Sequence, residues 1–427
     1  MDKSYFSEDL IQEIKEKFYY VDEDNLGRKR LFFENSGGSL RLKAAVEAKC
    51  KYEKIPDCPE RYHDISMHLR AVKEKGIKDL LEIVFGAKSG EGALVTELTA
   101  SQVMFRIVRA IVENTPGTNV VTTSIEHPSA YDAAEFYAKR TGKEFRVAMA
   151  NNRTGGVDVE EIMKHVDKNT CMLSVMSASN ISGNILPMAD IVKAARAVNP
   201  DIYIISDAVQ HMPHSVLHVG EYGLDGMNFA PYKAFGIRGC GYGYVSDRVA
   251  KLSHDKLLNK PEEEWELGTF PHPNYAALSA IVDYVCWIGG HYTKETARKT
   301  LYDIGMNSIH KQEHSLLMRM LNGSPEVHGL RHIPGVEVYL DNPEVKDRDL
   351  ISAMGIKGMN DTELRKEYYR RGVTVFERIN TSLYSKRIVE SLGLTGCIRV
   401  SPLHCHSFKD IDQYLKVTEA IAKEYSK

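Results

Sequence analysis

Lys233 sits in a run whose residue types could do amine chemistry: Asn228-Phe229-Ala230-Pro231-Tyr232-Lys233-Ala234-Phe235-Gly236-Ile237-Arg238-Gly239-Cys240-Gly241. The lysine follows a short apolar stretch, and glycines stand three, six and eight residues beyond it. A lysine in an apolar, partly desolvated pocket has a lowered pKa and becomes a usable nucleophile. The glycines let backbone pass close to a flat ligand and turn tightly into the next segment. A surface lysine beside a glycine-rich hairpin is the plainer alternative. Upstream by 26 residues, Ile204-Ile205-Ser206-Asp207-Ala208-Val209-Gln210 places an acid directly after an apolar stretch. An acid there is costly to bury unless a cation pairs with it. A protonated pyridine nitrogen is one such cation, and a carboxylate keeps it charged. Gln210 would then reach a phenolic oxygen on the same ring. A helix cap by Asp207 with a solvent-facing Gln210 is the other reading.

Three more polar clusters follow apolar stretches. Glu97-Leu98-Thr99-Ala100-Ser101 opens a helical pattern. Its free backbone N–H groups, with the Thr99 and Ser101 hydroxyls, suit a phosphate, or they mark an ordinary N-cap. Ser124-Ile125-Glu126-His127-Pro128 puts an imidazole where it could stack on a flat ring, or where it is only a turn histidine. Ser179-Asn180-Ile181-Ser182-Gly183 is by itself a turn signal.

Such residues act together only if the chain folds back to gather them. Between about residues 90 and 250, short apolar runs alternate with helix-like stretches. The expected strands are 119–124, 145–150, 171–176, 202–206, 226–229 and 241–245. Helical patterns cover 101–112, 157–165 and 189–198. Continuously apolar strands alternating with helices predict an α/β layered domain with a mainly parallel sheet. Ligands of such sheets bind outside the carboxyl ends of the strands, which is where all the clusters above fall.

Composition narrows the class. The 427 residues carry a formal net charge of −3, with 26% charged and 43% hydrophobic residues, as an ordinary globular protein does. No long basic block argues for nucleic acid or a membrane surface. No apolar run approaches the roughly 18 residues of a spanning helix. The N-terminus carries acids and amphipathic spacing rather than a signal peptide. Seven scattered cysteines without a C-x-x-C pair suggest reduced thiols and a cytoplasmic protein.

Taken in order, these elements resemble the class V aminotransferase family of pyridoxal 5'-phosphate enzymes, and within it the cysteine desulfurase and selenocysteine lyase-like branch. Glu34-Asn35-Ser36-Gly37-Gly38 resembles the family's substrate-side motif, and Gly268-Thr269 resembles a pair that completes a neighbouring subunit's phosphate site. Arg399, in Cys397-Ile398-Arg399-Val400-Ser401, sits where the family binds the substrate carboxylate. The resemblance implies fold type I: a large domain with a mainly parallel seven-stranded sheet at 31–300, a smaller C-terminal α/β domain at 301–427, and an N-terminal helical segment at 1–30. It implies that Lys233 holds the cofactor as a Schiff base and moves protons at the substrate Cα. Asp207 pairs with the pyridine nitrogen and His127 stacks on the ring. Gln210 and Asn180 lie near the ring oxygen. Thr99, Ala100, Ser101 and Tyr232 serve the phosphate, with Gly268 and Thr269 of a second copy in a homodimer. Asn35 and Arg399 meet the amino-acid substrate.

Two departures bear on the reaction. The family usually has Ser three residues before the lysine and His directly before it; here stand Ala230 and Tyr232. The persulfide-carrying cysteine of desulfurases is matched by Tyr384, and 373–394 holds no cysteine. A phenol of pKa about 10 does not replace a thiolate. Of the remaining thiols near the C-terminus, Cys397 falls in an expected strand, and Cys405, in His404-Cys405-His406, is the better spare nucleophile. No metal site is expected of that tripeptide, since adjacent residues rarely converge on one ion. The expectation is a lyase that acts on an amino acid through an external aldimine, eliminating a β-sulfur group without a persulfide. A class V aminotransferase is the alternative; a desulfurase, an epimerase and a non-catalytic descendant rank lower.

Overall fold

All six expected strands are present, and a seventh completes their sheet. The computed structural model describes residues 4–56 and 63–425. The large sheet consists of β1 (Ala93–Glu97), β2 (Asn119–Thr123), β3 (Glu144–Ala148), β4 (Thr170–Ser174), β5 (Tyr203–Asp207), β6 (Gly226–Phe229) and β7 (Gly241–Val245). Its order is β1-β7-β6-β5-β4-β2-β3, parallel throughout except for β7, which runs antiparallel to both neighbours. β2, β4, β6 and β7 are buried along their whole length. Helices cover both faces of such a sheet, and the strands therefore read as unbroken apolar runs. The run missed in the sequence is β1, a short edge strand only partly buried.

A second sheet lies toward the C-terminus: β8 (Val336–Tyr339), β9 (Ser352–Ile356), β10 (Phe376–Ile379) and β11 (Gly396–Val400), in the order β10-β11-β9-β8, all antiparallel. Helices Arg298–Asn322 and Phe408–Tyr425 supply Leu316, Leu317, Tyr414 and Leu415 to the core beneath it. Leu31–Phe32 pairs in parallel with Val373–Thr374, so the chain leading into Glu34 starts beside this second sheet.

The helix Glu8–Glu16 is capped by Ser7, whose hydroxyl accepts from the Leu10 N–H at 3.2 Å. Leu10, Ile11 and Ile14 are buried in the core shared with the large sheet, each worth about 1.5–3 kcal/mol. On its other side Lys15 pairs with Asp410 at 3.0 Å. The helix thus joins the C-terminal region to the large sheet.

Candidate active site

The carboxyl ends of β2, β4, β5 and β6, with the helix start after β1, converge on one cavity of about 200 Å³. At one end Thr99 caps the helix Ala100–Asn114, its hydroxyl accepting from Gln102 N–H at 3.2 Å. Ala100 and Ser101 line the cavity beside it. Asn228 donates to the Ala100 carbonyl at 3.0 Å and holds this helix start against β6. β7 passes so close that a Cβ on Gly241 would lie 2.3 Å from the Ala100 nitrogen, so only glycine fits there. A helix N-terminus with free N–H groups attracts an anion such as phosphate.

At the other end is Asp207, on the last residue of β5. Its carboxylate is 3% exposed, and it accepts from Val209 N–H at 2.9 Å. Burial raises its pKa, with that hydrogen bond and the more distant Lys233 opposing. A buried acid without an adjacent cation calls for one from a ligand. Gln210 donates to the Ser36 hydroxyl at 3.3 Å, while its Oε1 and the Asn180 Oδ1 are buried without donors. His127 caps the helix Pro128–Arg140, its Nδ1 lying 2.7 Å from the Ser129 hydroxyl. Burial first, then Lys233, lowers His127 to about 3. The ring is held neutral and lines the cavity.

Lys233 ends a short 3-10 turn after β6. Burial, then Arg399, brings its amine down to about 8, with Asp207 opposing. Two residues on, Phe235 holds a positive φ of 65°, rare for a bulky side chain. Its N–H donates to the Ser39 hydroxyl at 2.8 Å, which fixes the turn that presents the lysine. Strained backbone of this kind clusters at functional sites. Tyr232 also lines the cavity; the Arg238 guanidinium lies 4.0 Å from its ring centre, and its carbonyl accepts from Arg41 at 2.6 Å.

The remaining expected residues are placed differently. Asn35 is spent on structure: it donates to the Phe32 and Ser401 carbonyls at 3.1 and 2.9 Å and accepts from Leu40 N–H at 3.0 Å. Gly268 and Thr269 are exposed and do not line this chain's cavity. Arg399 is buried beside it, donating to the Asn180 carbonyl at 3.0 Å and to Glu34. Cys397 and Cys405 are wholly buried. Burial pushes the Cys397 thiol up to about 12 and the Cys405 thiol higher still. Cys405 is therefore not the spare nucleophile expected of it. Tyr384 is 69% exposed. Cys58 lies outside the described residues.

Sequence reasoning passed over Glu34, Arg238, Arg378 and Arg387. Arg387 donates to the Ser124 and Glu126 carbonyls and so grips the turn that carries His127. Arg378 and Arg387 stand in no pattern that a lone sequence marks out; Glu34 and Arg238 stand inside quoted motifs, at the head of the Glu34–Gly38 run and in the glycine run after Lys233, without a role of their own.

A buried amine, a buried acid and a helix start suited to an anion, all lining one cavity, together define a site for a phosphorylated pyridine aldehyde. The chain belongs to the class V aminotransferase family, whose profile matches residues 32–414; the family uses pyridoxal 5'-phosphate, and the chain is a lyase or transferase of that kind. It is similar to a probable cysteine desulfurase of Ureaplasma parvum, 24% identical over 73% of this chain and 72% of that one. A cysteine desulfurase of Haloferax volcanii is 22% identical over 84% of this chain and 81% of its own length. Among solved structures, the apo cysteine desulfurase of Thermococcus onnurineus superposes with a TM-score of 0.79 at 20% identity, over 97% of this chain and 98% of that one. That likeness shows the fold, type I with a mainly parallel seven-stranded sheet, as the sequence implied. The unpaired Asp207 carboxylate, the orphaned Gln210 and Asn180 oxygens and the helix start behind Gly241 all fit the cofactor.

Proposed function

We propose that this chain cleaves a carbon–sulfur bond in a cysteine-type amino acid, with Lys233 as its catalytic amine. The observation that carries the amine assignment is the burial of Lys233 in the cavity it shares with the buried Asp207 carboxylate and the helix start at Ala100. When bound, pyridoxal phosphate supplies an electron sink for negative charge at the substrate Cα. Thr99, Ala100 and Ser101 would hold its phosphate, and Tyr232 and Arg238 would close that end. Asp207 would keep the ring nitrogen protonated. His127, neutral, offers a flat face, and Gln210 and Asn180 border the ring oxygen. The Lys233 amine would hold the cofactor, and the same amine is placed to take the proton from the substrate Cα. The substrate carboxylate faces Arg399 and its neighbours. A homodimer, with Gly268 and Thr269 reaching the other copy's phosphate, a boundary near residue 300 and a cytoplasmic location complete the reading.

The names of the relatives favour a cysteine desulfurase over a lyase without a persulfide. Cys397 and Cys405 speak for free release of sulfur, because each thiol is buried and held protonated. Incubation of the holoenzyme with cysteine decides between them. Pyruvate, ammonia and sulfide, with no sulfur added to the protein by mass spectrometry, are expected. Alanine with a protein persulfide would make it a desulfurase. The family description supports transamination as the second reading; recovery of the cofactor in its amine form together with a keto acid would establish it.

A further inference from the structure

The turn that presents Lys233 is held from behind by aromatic rings. Phe235, two residues past the lysine, is buried and keeps its left-handed φ of 65°. A phenylalanine stays in that region only where its surroundings over-determine it. Its backbone is tied on both sides to the segment 39–42: the N–H donates to the Ser39 hydroxyl and the carbonyl accepts from Leu42 N–H, each at 2.8 Å. Its ring meets three others edge-on, with centroids 5.8 Å from Phe18, 6.1 Å from Tyr284 and 5.0 Å from His404. Phe18 follows the helix Glu8–Glu16, Tyr284 belongs to the helix His272–Gly290, and His404 lies in the turn between β11 and the helix Phe408–Tyr425. Three distant parts of the chain thus close on one side chain.

His404 is the closest of the three rings and is wholly buried. An imidazole is costly to bury, and an apolar side chain would fill the same space without that cost. What the imidazole adds is direction. Its backbone N–H donates to Glu313 at 3.1 Å, which fixes the root of the side chain. Its Nε2 lies 2.7 Å from the Tyr284 hydroxyl, which fixes the tip. The ring therefore meets Phe235 in one orientation, at 73° between planes. We propose that His404, oriented by Tyr284, is a positioning residue for Lys233: it holds Phe235 in its left-handed turn and so aims the amine into the cavity. His404 stands five residues after Arg399, so the same contact ties the end of β11 to the lysine turn. The His404-Cys405-His406 tripeptide then serves the site through its first residue, from behind the cavity rather than inside it.

This inference rests on the reading of Lys233 as the amine that holds the cofactor. The test follows cofactor-free protein mixed with pyridoxal phosphate, well below its melting temperature. Samples are reduced with borohydride at intervals, and the labelled peptide is located by mass spectrometry. His404→Leu should slow capture at Lys233 about tenfold, as a misplacement of around an ångström does. His404→Gln, which can still reach the Tyr284 hydroxyl, should restore part of the loss. Glycine adopts the left-handed turn without strain, so in a Phe235→Gly background the added His404→Leu should change the rate by no more than about twofold, the mark of two residues acting through one contact. An equal slowing by His404→Leu in both backgrounds would overturn the inference. So would a His404→Leu variant that melts at lower temperature yet captures cofactor at the wild-type rate, the mark of a merely structural role. If the His404 or Phe235 variants do not fold, Tyr284→Phe, which removes one oxygen, carries the test: slower capture is expected, and an unaltered rate would overturn the inference. Each of these results leaves the reading of Lys233 intact. Wild-type label found on another lysine would overturn both.

Discussion

At Lys233 the cost of burying a charge outweighs the attraction of Asp207, and the amine falls to about 8. Only the neutral amine attacks an aldehyde, and a lowered pKa raises its share as pH climbs. Cofactor-free protein should therefore take up pyridoxal phosphate faster as pH rises toward about 8 and level off above it, followed by the growth of visible absorbance. Lys233→Ala should bind the cofactor only reversibly, lose it on dialysis and show no turnover; retained turnover would refute the assignment. Asp207→Asn keeps the size but not the charge, and a loss of about a hundredfold in turnover is expected for a displaced electrostatic partner. These residues were legible because each is an odd chemical type at the end of an apolar run. Arg387 was not, because its meaning comes from its contacts with the Ser124 and Glu126 carbonyls, 263 and 261 residues away in the chain. The partners of Asn35 were not legible for a related reason: its amide meets backbone groups of Phe32, Leu40 and Ser401, and the last lies far along the chain.

Between elements, a buried electrostatic link joins the helix Arg298–Asn322 to the loop after β5. Glu313 accepts from His214 at 2.7 Å and from the His404 backbone N–H at 3.1 Å. The His404 ring in turn lies 2.7 Å from the Tyr284 hydroxyl. Burial is the largest single influence on each, but Glu313 and Asp349 together raise His214, and His214 and His404 together lower Glu313. The signs can be worked through. A raised histidine contributes stability that is full below its ordinary 6.5 and is lost as pH rises through its folded value. A lowered glutamate contributes stability that is full above its ordinary 4.5 and is lost as pH falls through its folded value. The pair is therefore at full strength between those two values and weakens on both sides. Glu313→Gln should cost about 3–5 kcal/mol, since it strands a buried partner, and denaturant melts should show its largest deficit inside that window. At this scale the sequence was most readable. β6 and β7 fall at their expected ends, and the other four expected strands shift by one or two residues. The amphipathic N-terminal helix is expected against the smaller C-terminal domain or a second copy; Lys15 does reach Asp410, but Leu10, Ile11 and Ile14 also enter the core of the large sheet, because amphipathic spacing marks a buried face and not what buries it.

For the molecule as a whole, no helix among the described residues is long and apolar enough to cross a membrane. The proposed homodimer gives the exposed Gly268 and Thr269 a role that this chain's own cavity does not. Sedimentation of the holoenzyme should show a dimer, and Thr269→Ala should weaken cofactor retention without dissociating it. A monomer that stays fully active at high dilution would contradict both.

The close passage of Gly241 against Ala100 has a consequence for how the protein matures. These residues are about 140 positions apart in the chain. They meet only after β7 has inserted between β6 and β1, which closes the sheet at that edge. No autonomous fragment of the chain owns the anion cradle, and contacts so distant in sequence form late. The cofactor is thus a ligand of the finished protein alone. A ligand with that preference stabilises by mass action, by about 2.7 kcal/mol at a hundredfold excess over its Kd. Vitamin supply would then set the lifetime of the newly made chain as well as its activity. Under protease challenge, the apoprotein should be cut sooner than the loaded form, with the first nicks near the edge strand β1 and the segments flanking β7.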